Sequence, residues 1–201
     1  MSYFPFFMEM EGRPGLIVGG GVVACRKVEK LLPYGPRLTV VAPEIAPEIA
    51  AVNGLTLLRR PFRPEDLEGM VFVISAAPPG NRQGAELCHE RHLPVNVVDD
   101  RELCSFLFPA LVKRGSLSVG ISTGGASPTA AIYLKEQIAA LLPENFEELL
   151  AFLDSLRPAL KAEIPEEARR SKAFSRLFRS CMAAERPLTS QEVRTILDDQ
   201  Y

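Results

Sequence analysis

The sequence lacks the long apolar run that a membrane-spanning helix needs. No stretch of its 201 residues approaches the roughly 18 consecutive apolar residues that a span requires. The opening segment MSYFPFF also lacks the basic region and the long apolar region of a secretory signal. We therefore expect a soluble, cytoplasmic protein without a membrane partner.

An excess of charge of either sign is also missing. The chain has 23 basic and 25 acidic residues, which gives a formal net charge of −2. This balance provides no reason to expect nucleic acid or an anionic membrane as the partner. A small-molecule ligand is the better expectation.

Cysteine and histidine are too sparse to suggest a metal centre. The four cysteines form no C-x-x-C pair, so neither a zinc site nor a disulfide framework is indicated, and we expect buried free thiols. The two histidines, His89 and His92, share one helix face with no carboxylate obviously placed beside them. We expect them on the surface and predict no metal site. The cysteines are Cys25, Cys88, Cys104 and Cys181.

The first half of the chain alternates short apolar runs with helical patterns, which is typical of β-α-β units around a parallel sheet. Most of these runs are apolar at consecutive positions, as expected for strands that are covered on both faces. The pattern predicts an α/β fold. The predicted strands are residues 15–19, 37–42, 55–60, 70–77 and 94–99, and the predicted helices are residues 22–32 and 81–92.

The pattern changes after Asp100. Residues 105–112 and 116–122 form two β runs joined by KRGS, where Gly115 suits the tight turn of a hairpin. Pro109 lies inside the first run and confines it to a sheet edge or a bulge. The hairpin could extend the sheet edge or pair with a second subunit.

Helical patterns fill the remainder of the chain. Ser127 is a predicted N-cap, Pro128 suits the first turn, and Pro143 ends this helix. Residues 144–201 contain no β run, so they predict a small helical domain. Its segment 157–186 holds eight basic and four acidic residues, an excess of four positive charges that suits either a polyanionic ligand or a solvated face.

A glycine-rich turn lies between the first predicted strand and helix. In GLIVGGGVVACRK, Gly19, Gly21 and Ala24 form a G-x-G-x-x-A pattern. Gly19 permits the tight turn, Gly21 lets a pyrophosphate approach the backbone, and Ala24 permits close helix packing. The helix N-terminus adds free N–H groups for the phosphates. This stretch predicts a dinucleotide-binding site.

Further cofactor contacts are expected where neighbouring strands end. Glu44 is the nearest candidate for the acidic residue that holds a ribose 2′-hydroxyl, and VAPEIAPE has no arginine for a 2′-phosphate, so NAD is preferred over NADP. Small residues after the fourth strand leave room for the cofactor. The predicted cofactor-binding residues are Gly19, Gly20, Gly21, Val22, Val23, Pro43, Glu44, Ala76 and Ala77.

Two long stretches of the chain resemble the siroheme synthase family. They are FPFFMEMEGRPGLIVGGGVVACRKVEKLL and NVVDDRELCSFLFPALVKRGSLSVGISTGGASP. Their most specific pieces are G-G-G-x-V-A-x-R-K, N-V-V-D, S-F-x-x-P-A and S-x-G-G-x-S-P. The likeness runs from about Phe4 to about Leu160. Members of this family are precorrin-2 dehydrogenases, and some are also sirohydrochlorin ferrochelatases.

The resemblance implies three regions: a Rossmann NAD-binding domain at 1–112, a dimerisation region with the hairpin and the next helix at 113–143, and a helical domain at 144–201. It also implies an interlocked homodimer. The implied reaction is NAD-dependent oxidation of precorrin-2 to sirohydrochlorin. Bifunctional members then insert ferrous iron, for which the tetrapyrrole nitrogens would be the main ligands. The chain has no methyltransferase region like that of larger members, so we expect another protein to methylate uroporphyrinogen.

The resemblance also assigns roles to individual residues. Asp99 of N-V-V-D matches the catalytic acid of the family, at a strand end where ligands of open α/β sheets bind. Its carboxylate could accept a proton during oxidation or during iron insertion. Asp100 lies one step past the strand and is predicted to be a turn residue. Ser122 and Gly124 could contact the substrate or shape the turn before the next helix.

A regulatory module is the alternative from another functional class. In that interpretation the Rossmann domain senses the NAD redox state and the helical tail binds a partner. Such a module would not need a carboxylate at the strand edge, whereas an enzyme would.

Overall fold

The computed structural model describes residues 3–77 and 81–198. The chain divides into two compact units, Met1–Phe108 and Pro109–Tyr201. The three-region division implied by the family resemblance stays a prediction. Within the described ranges, no helix combines the length and the apolar character that crossing a bilayer requires.

The first unit contains a five-stranded parallel sheet with the order β3-β2-β1-β4-β5. This order, with crossover helices between the strands, is that of a Rossmann-type sheet. Each strand overlaps a predicted apolar run, so the predicted fold class is confirmed. The strands are β1 (Pro14–Val18), β2 (Arg37–Val41), β3 (Thr56–Leu58), β4 (Phe72–Ser75) and β5 (Val95–Val97).

Helices cover both faces of this sheet. Since successive side chains of each strand point to opposite faces, each strand contributes to the core on both sides. In β1, Ile17 packs in the core beneath α1 and α2, whereas Leu16 packs in the core beneath α3. The helices are α1 (Val22–Leu31), α2 (Pro47–Ala50) and α3 (Asn81–Glu90), with short 3₁₀ turns at Leu32–Tyr34 and Pro64–Leu67.

The fifth strand is shorter than predicted, and this changes the setting of Asp99. β5 ends at Val97, whose partner Ser75 is the last residue of β4, so no strand continues the pairing. Asp99 lies in the turn that follows and has a φ of 62°. The prediction that Asp99 ends the strand while Asp100 alone belongs to the turn is therefore wrong.

The second unit begins with the hairpin, which forms a separate two-stranded antiparallel sheet. Its strands are β6 (Ala110–Arg114) and β7 (Leu117–Ile121), with Gly115 at a φ of 51° in the turn. The predicted first β run started too early, because Pro109 precedes the strand instead of interrupting it. The segment before Pro109 belongs to the first unit.

Four helices complete the second unit. Ser127 caps the first of them, since its hydroxyl accepts a hydrogen bond of 3.1 Å from the Ala130 N–H. Leu149 and Leu177 are fully buried where the helices pack together, with Leu117 of the hairpin against the same core. The helices are α4 (Pro128–Ala140), α5 (Phe146–Glu163), α6 (Glu167–Ala184) and α7 (Ser190–Asp198).

All four cysteines are free thiols, but only two are buried as predicted. Cys88 and Cys181 are fully buried, and burial raises the pKa of the Cys88 thiol to about 11. Cys25 is half-buried because it lies at the edge of the packed face of α1. Cys104 is half-buried in the loop that follows β5.

Candidate active site at the carboxyl edge of the parallel sheet

Two of the three turn glycines are required by close packing. Gly19 has a φ of 119°, and a Cβ added there would lie 2.8 Å from the carbonyl oxygen of Ala76. A Cβ on Gly20 would overlap the carbonyl oxygen of Glu44, and the Gly20 oxygen accepts a 2.8 Å hydrogen bond from the Ala46 N–H. These glycines bring the turn against the ends of β2 and β4. A direct contact of Gly20 with a cofactor stays a prediction.

Gly21 has a different role from its two neighbours. It is exposed, its backbone is extended, and no atom lies within 4 Å of an added Cβ. It is the N-cap of α1, it provides no side-chain cap, and the first turn contains no acidic residue. The free N–H groups and the positive end of the helix dipole therefore face open space, which suits a phosphate group.

The two residues after Gly21 are exposed apolar side chains. Val22 is 66% exposed and Val23 is 39% exposed. Apolar side chains that border a helix N-terminus suit the sugar and ring parts of a dinucleotide, whereas the N–H groups suit its phosphates. The exposure of both valines is compatible with their predicted role as cofactor contacts.

A cleft of about 300 Å³ opens beside the turn, where the strands end. Of the predicted cofactor residues, it is lined by Gly19, Pro43 and Ala77. Phe62 and Gln83 also line it, and the sequence prediction missed both. Phe62 follows β3 and Gln83 lies in α3, so only the folded arrangement brings them to the same place.

An ion pair stiffens the loop that carries Phe62. Arg60 donates hydrogen bonds of 2.8 and 2.5 Å to the two carboxylate oxygens of Asp66. The Arg63 N–H donates a further bond of 2.9 Å to Asp66. Hydrogen bonding from Arg60 lowers the pKa of the Asp66 carboxyl, although burial acts in the opposite direction. The wall of the cleft is therefore held in place when Asp66 is ionised.

The ribose end of the predicted cofactor site lies near the end of β2. Pro43 and Glu44 are both exposed there. β3 pairs with β2, so Arg59 and Arg60 follow the neighbouring strand at the same edge. The preference for NAD considered only the loop after β2 and missed these arginines. Arg60 is held by Asp66, whereas Arg59 is exposed.

Asp99 lies at the same edge of the sheet as the glycine turn. The preceding Val98 N–H donates a 2.9 Å hydrogen bond to the carbonyl oxygen of Ser75 at the end of β4. Asp99 is exposed, and its carboxylate has no hydrogen bond or ion pair within the described residues. Such a carboxylate is available to a ligand.

A half-buried lysine that the sequence prediction missed lies near this turn. The Lys27 ammonium is 3.5 Å from Asn96 Oδ1 and 4.0 Å from the centre of the Phe108 ring. Burial lowers the pKa of Lys27, and the Asp99 carboxylate acts in the opposite direction. Lys27 and Asn96 belong to the G-G-G-x-V-A-x-R-K and N-V-V-D motifs, which was the available signal.

Ser122 and Gly124 belong to the second unit. The Ser122 hydroxyl accepts a 3.1 Å hydrogen bond from the Gly124 N–H, and Gly124 has a φ of 62°. Thr123 bonds the backbone of Ser127 in the same turn. These contacts shape the turn before α4, and a contact of Ser122 or Gly124 with substrate stays a prediction.

The two histidines are exposed, as predicted. One of them, His89, has its Nε2 atom 3.0 Å from the carbonyl oxygen of Leu103. Within residues 3–77 and 81–198, no group of three histidine, cysteine or acidic side chains is placed to hold a metal ion.

Two family models match this chain. One is described as putative NAD(P)-binding and matches residues 6–110, which is more than half of the chain. The other is described as sirohaem biosynthesis protein central and matches residues 114–141. These matches cover the glycine turn, the Asp99 turn and the segment from the hairpin to α4.

Curated relatives and a solved structure agree with these models. The siroheme synthase of Thioalkalivibrio sulfidiphilus is 41% identical over 89% of this chain and 37% of its own length. That of Neisseria meningitidis serogroup C is 35% identical over 92% of this chain and 39% of its own length. The chain thus spans about two fifths of the length of these relatives.

The solved structure is named SirC, precorrin-2 dehydrogenase. It has a TM-score of 0.74 and 25% sequence identity, and the alignment covers 99% of this chain and 100% of that one. The likeness therefore extends over both units of the chain, including the helices after α4. Together with the two family models, it shows that the chain belongs to the family of the siroheme synthase N-terminal region, which joins an NAD(P)-binding domain to a central domain.

Proposed function

We propose that this chain is an NAD-dependent precorrin-2 dehydrogenase that produces sirohydrochlorin. The observation that carries the proposal is the presence of two complementary groups at one edge of the sheet. The N-terminus of α1 offers an anion site without a side-chain cap at Gly21, and Asp99 presents a carboxylate that makes no hydrogen bond or ion pair with residues 3–77 and 81–198. The similarity to a protein named precorrin-2 dehydrogenase supports the choice of reaction.

In this proposal the glycine turn and the cleft bind and orient the cofactor. The first-turn N–H groups of α1 hold the pyrophosphate, and Glu44 holds the ribose hydroxyls. NAD held there would supply the hydride acceptor for the oxidation. Phe62 and Ala77 line the cleft and would offer apolar surface to the bound dinucleotide.

Asp99 acts as the general base. Oxidation of precorrin-2 removes a hydride and a proton, and the hydride leaves with the cofactor. The proton passes to a carboxylate oxygen of Asp99 and then to water, which leaves sirohydrochlorin, NADH and one released proton. This carboxylate is exposed and makes no hydrogen bond or ion pair with the described residues, so a substrate can reach it.

A second candidate function is a bifunctional dehydrogenase and ferrochelatase. It is supported by the curated relatives, which are named siroheme synthase. When ferrous iron enters sirohydrochlorin, the pyrrole N–H protons must leave, and Asp99 could accept them as well. The tetrapyrrole nitrogens would then be the iron ligands.

We also propose that the chain forms a homodimer through α4. This helix exposes Ile132, Tyr133 and Leu134, and Leu141 at its C-cap is 76% exposed. A single exposed apolar residue is ordinary, but a cluster on one helix is typical of an interaction surface. Its position in the segment that matches the central family model suits the predicted dimerisation region.

Substitution of Gly21 tests the cofactor site. Asp and Asn are comparable N-caps and better ones than Gly, so Gly21→Asp and Gly21→Asn should both preserve the thermal stability of the chain. Only Asp adds a negative charge beside the pyrophosphate, so it should weaken NAD binding by more than about tenfold relative to Asn, or ~1.4 kcal/mol. Calorimetric titration with NAD measures this, and a parallel titration with NADP should show weaker binding to the wild-type chain. Equal NAD affinities of the Asp and Asn variants would count against the assignment.

Substitution of Asp99 tests the chemical step. Asn tolerates the left-handed backbone that Asp99 adopts, so Asp99→Asn removes the base without disturbing the turn. We expect the turnover of precorrin-2 to fall by about 10²- to 10⁴-fold, as for loss of a general base. NAD affinity should not change. The absorbance of NADH under anaerobic conditions measures turnover, and normal turnover in Asp99→Asn would remove Asp99 from the mechanism.

Substitution on α4 tests the dimer. The wild-type chain should have a solution mass near twice 22.1 kDa by light scattering. Leu134→Glu places a charge within the apolar cluster and should give a monomer. Glu136→Lys changes an exposed polar residue of the same helix and serves as the matched control. A monomeric wild-type chain, or an unaltered dimer in Leu134→Glu, would refute this surface.

A further inference from the structure

In the described part of the chain, no other strand covers the outer edge of β5. β5 is the last strand of the sheet, and its inner edge pairs with β4. Backbone groups of alternate residues in a parallel strand face opposite edges, so the N–H and C=O groups of Val95 and Val97 face outward. Unpaired groups of this kind are costly to bury and need partners.

Ser105 and Cys104 of the returning chain supply these partners. The Ser105 hydroxyl accepts a 2.8 Å hydrogen bond from the Val95 N–H, and the Ser105 N–H donates a 2.9 Å bond to the Val95 oxygen. The Cys104 sulfur accepts a 3.1 Å bond from the Val97 N–H and lies 3.2 Å from the Val97 oxygen. The returning chain thus bonds Val95 through the backbone and hydroxyl of Ser105, whereas at Val97 the Cys104 thiol takes the place of a neighbouring backbone.

The Cys104 contacts also close the loop that carries Asp99. The chain leaves β5 at Val97 and returns at Cys104, with Asp99 between them. The thiol lies 3.3 Å from the Asp100 carbonyl oxygen, so it contacts the backbone on both sides of Asp99. The thiol proton can be donated to the oxygen of Val97 or to that of Asp100, while the sulfur accepts from the Val97 N–H.

The backbone of Asp99 has an uncommon conformation, which the Cys104 contacts help to hold. Its φ of 62° lies in the left-handed region, which residues with a side chain adopt uncommonly. Such a conformation persists only when surrounding contacts hold it. Cys104 supplies contacts to the two neighbours of the Val98–Asp99 pair, namely Val97 and Asp100.

The Asn96 side chain also contacts the Cys104 thiol. The Asn96 amide donates a 3.0 Å bond to the Phe106 oxygen and lies 3.5 Å from the Cys104 sulfur. Its carbonyl oxygen in turn lies 3.5 Å from the Lys27 ammonium. Burial raises the pKa of the Cys104 thiol, which keeps the proton needed for donation.

We propose that Cys104 is a positioning residue for the reaction: its thiol closes the loop between β5 and the returning chain and fixes the Asp99 carboxylate at the sheet edge. The proposal rests on the proposed function, because it assigns a purpose to the position of Asp99. Cys104 itself touches neither cofactor nor substrate in this role.

The test compares Cys104→Ala with Cys104→Ser and with the control Cys25→Ala. Ala removes every contact of the thiol, whereas the Ser hydroxyl can both accept and donate. We expect kcat for precorrin-2 oxidation to fall at least about tenfold in Cys104→Ala, since a displacement of about 1 Å can cost 10²-fold. In Cys104→Ser it should stay within about threefold of wild type, which corresponds to ~0.65 kcal/mol. NAD affinity and the activity of Cys25→Ala should not change.

Hydrogen exchange gives a readout that does not depend on activity. The amides of residues 97–103 should exchange faster in Cys104→Ala than in the wild-type chain or in Cys104→Ser. If the Ala variant does not fold, Cys104→Val takes its place, because it fills a similar volume without accepting a hydrogen bond. The same loss of kcat and faster exchange are expected.

The possible failures are distinguishable. If Asp99→Asn lacks turnover but Cys104→Ala keeps wild-type kcat and exchange, the positioning role is overturned and the proposed function stands. Equal losses of kcat in Cys104→Ala and Cys104→Ser would overturn it too. If Asp99→Asn turns over normally, both the base and its positioning residue are overturned. In the expected case, adding Cys104→Ala to Asp99→Asn causes no further loss of kcat.

Discussion

The parallel pairing of β4 with β1 and β5 is the constraint on which the candidate site depends. In register, Val18, Ser75 and Val97 lie side by side across three strands. The chain therefore leaves all three strands at one level, and the glycine turn at Gly19 and the turn at Asp99 flank the end of β4. With strands about 4.8 Å apart, two spacings separate these turns by roughly 10 Å. A group bound over β4 can reach both.

The polar groups at this edge differ in what holds them. Among the described residues, no side chain caps the first turn of α1, which is unfavourable in isolation but creates an anion site. The Asp99 carboxylate likewise has no hydrogen bond or ion pair to this part of the chain, whereas the backbone on both sides of it is bonded to Cys104. Asp66 shows the opposite arrangement, because Arg60 occupies both of its oxygens and makes it a structural group. A carboxylate bonded to an arginine, such as Asp66, supports the fold, whereas a carboxylate such as Asp99 is available to a ligand.

The sheet and the glycine turn could be predicted from the sequence because both depend on local signals. Buried parallel strands give continuous apolar runs, and the turn gives a glycine spacing with a direct steric cause. The position of Asp99 in a turn could not be predicted, because β5 stops where its partner strand β4 ends. Cys104 and Phe62 were missed for a similar reason. Their contacts join segments that are distant along the chain or depend on the exact course of a loop.

In the proposed function, this sheet edge carries out an NAD-dependent oxidation of a tetrapyrrole. The most direct measurement is an anaerobic incubation of the wild-type chain with precorrin-2 and NAD, with the absorbance spectrum recorded before and after ferrous iron is added. One NADH should form for each sirohydrochlorin, and a further spectral change with iron would identify the bifunctional form. Binding of NAD without any oxidation of precorrin-2 would contradict the proposed dehydrogenase function and favour a regulatory module.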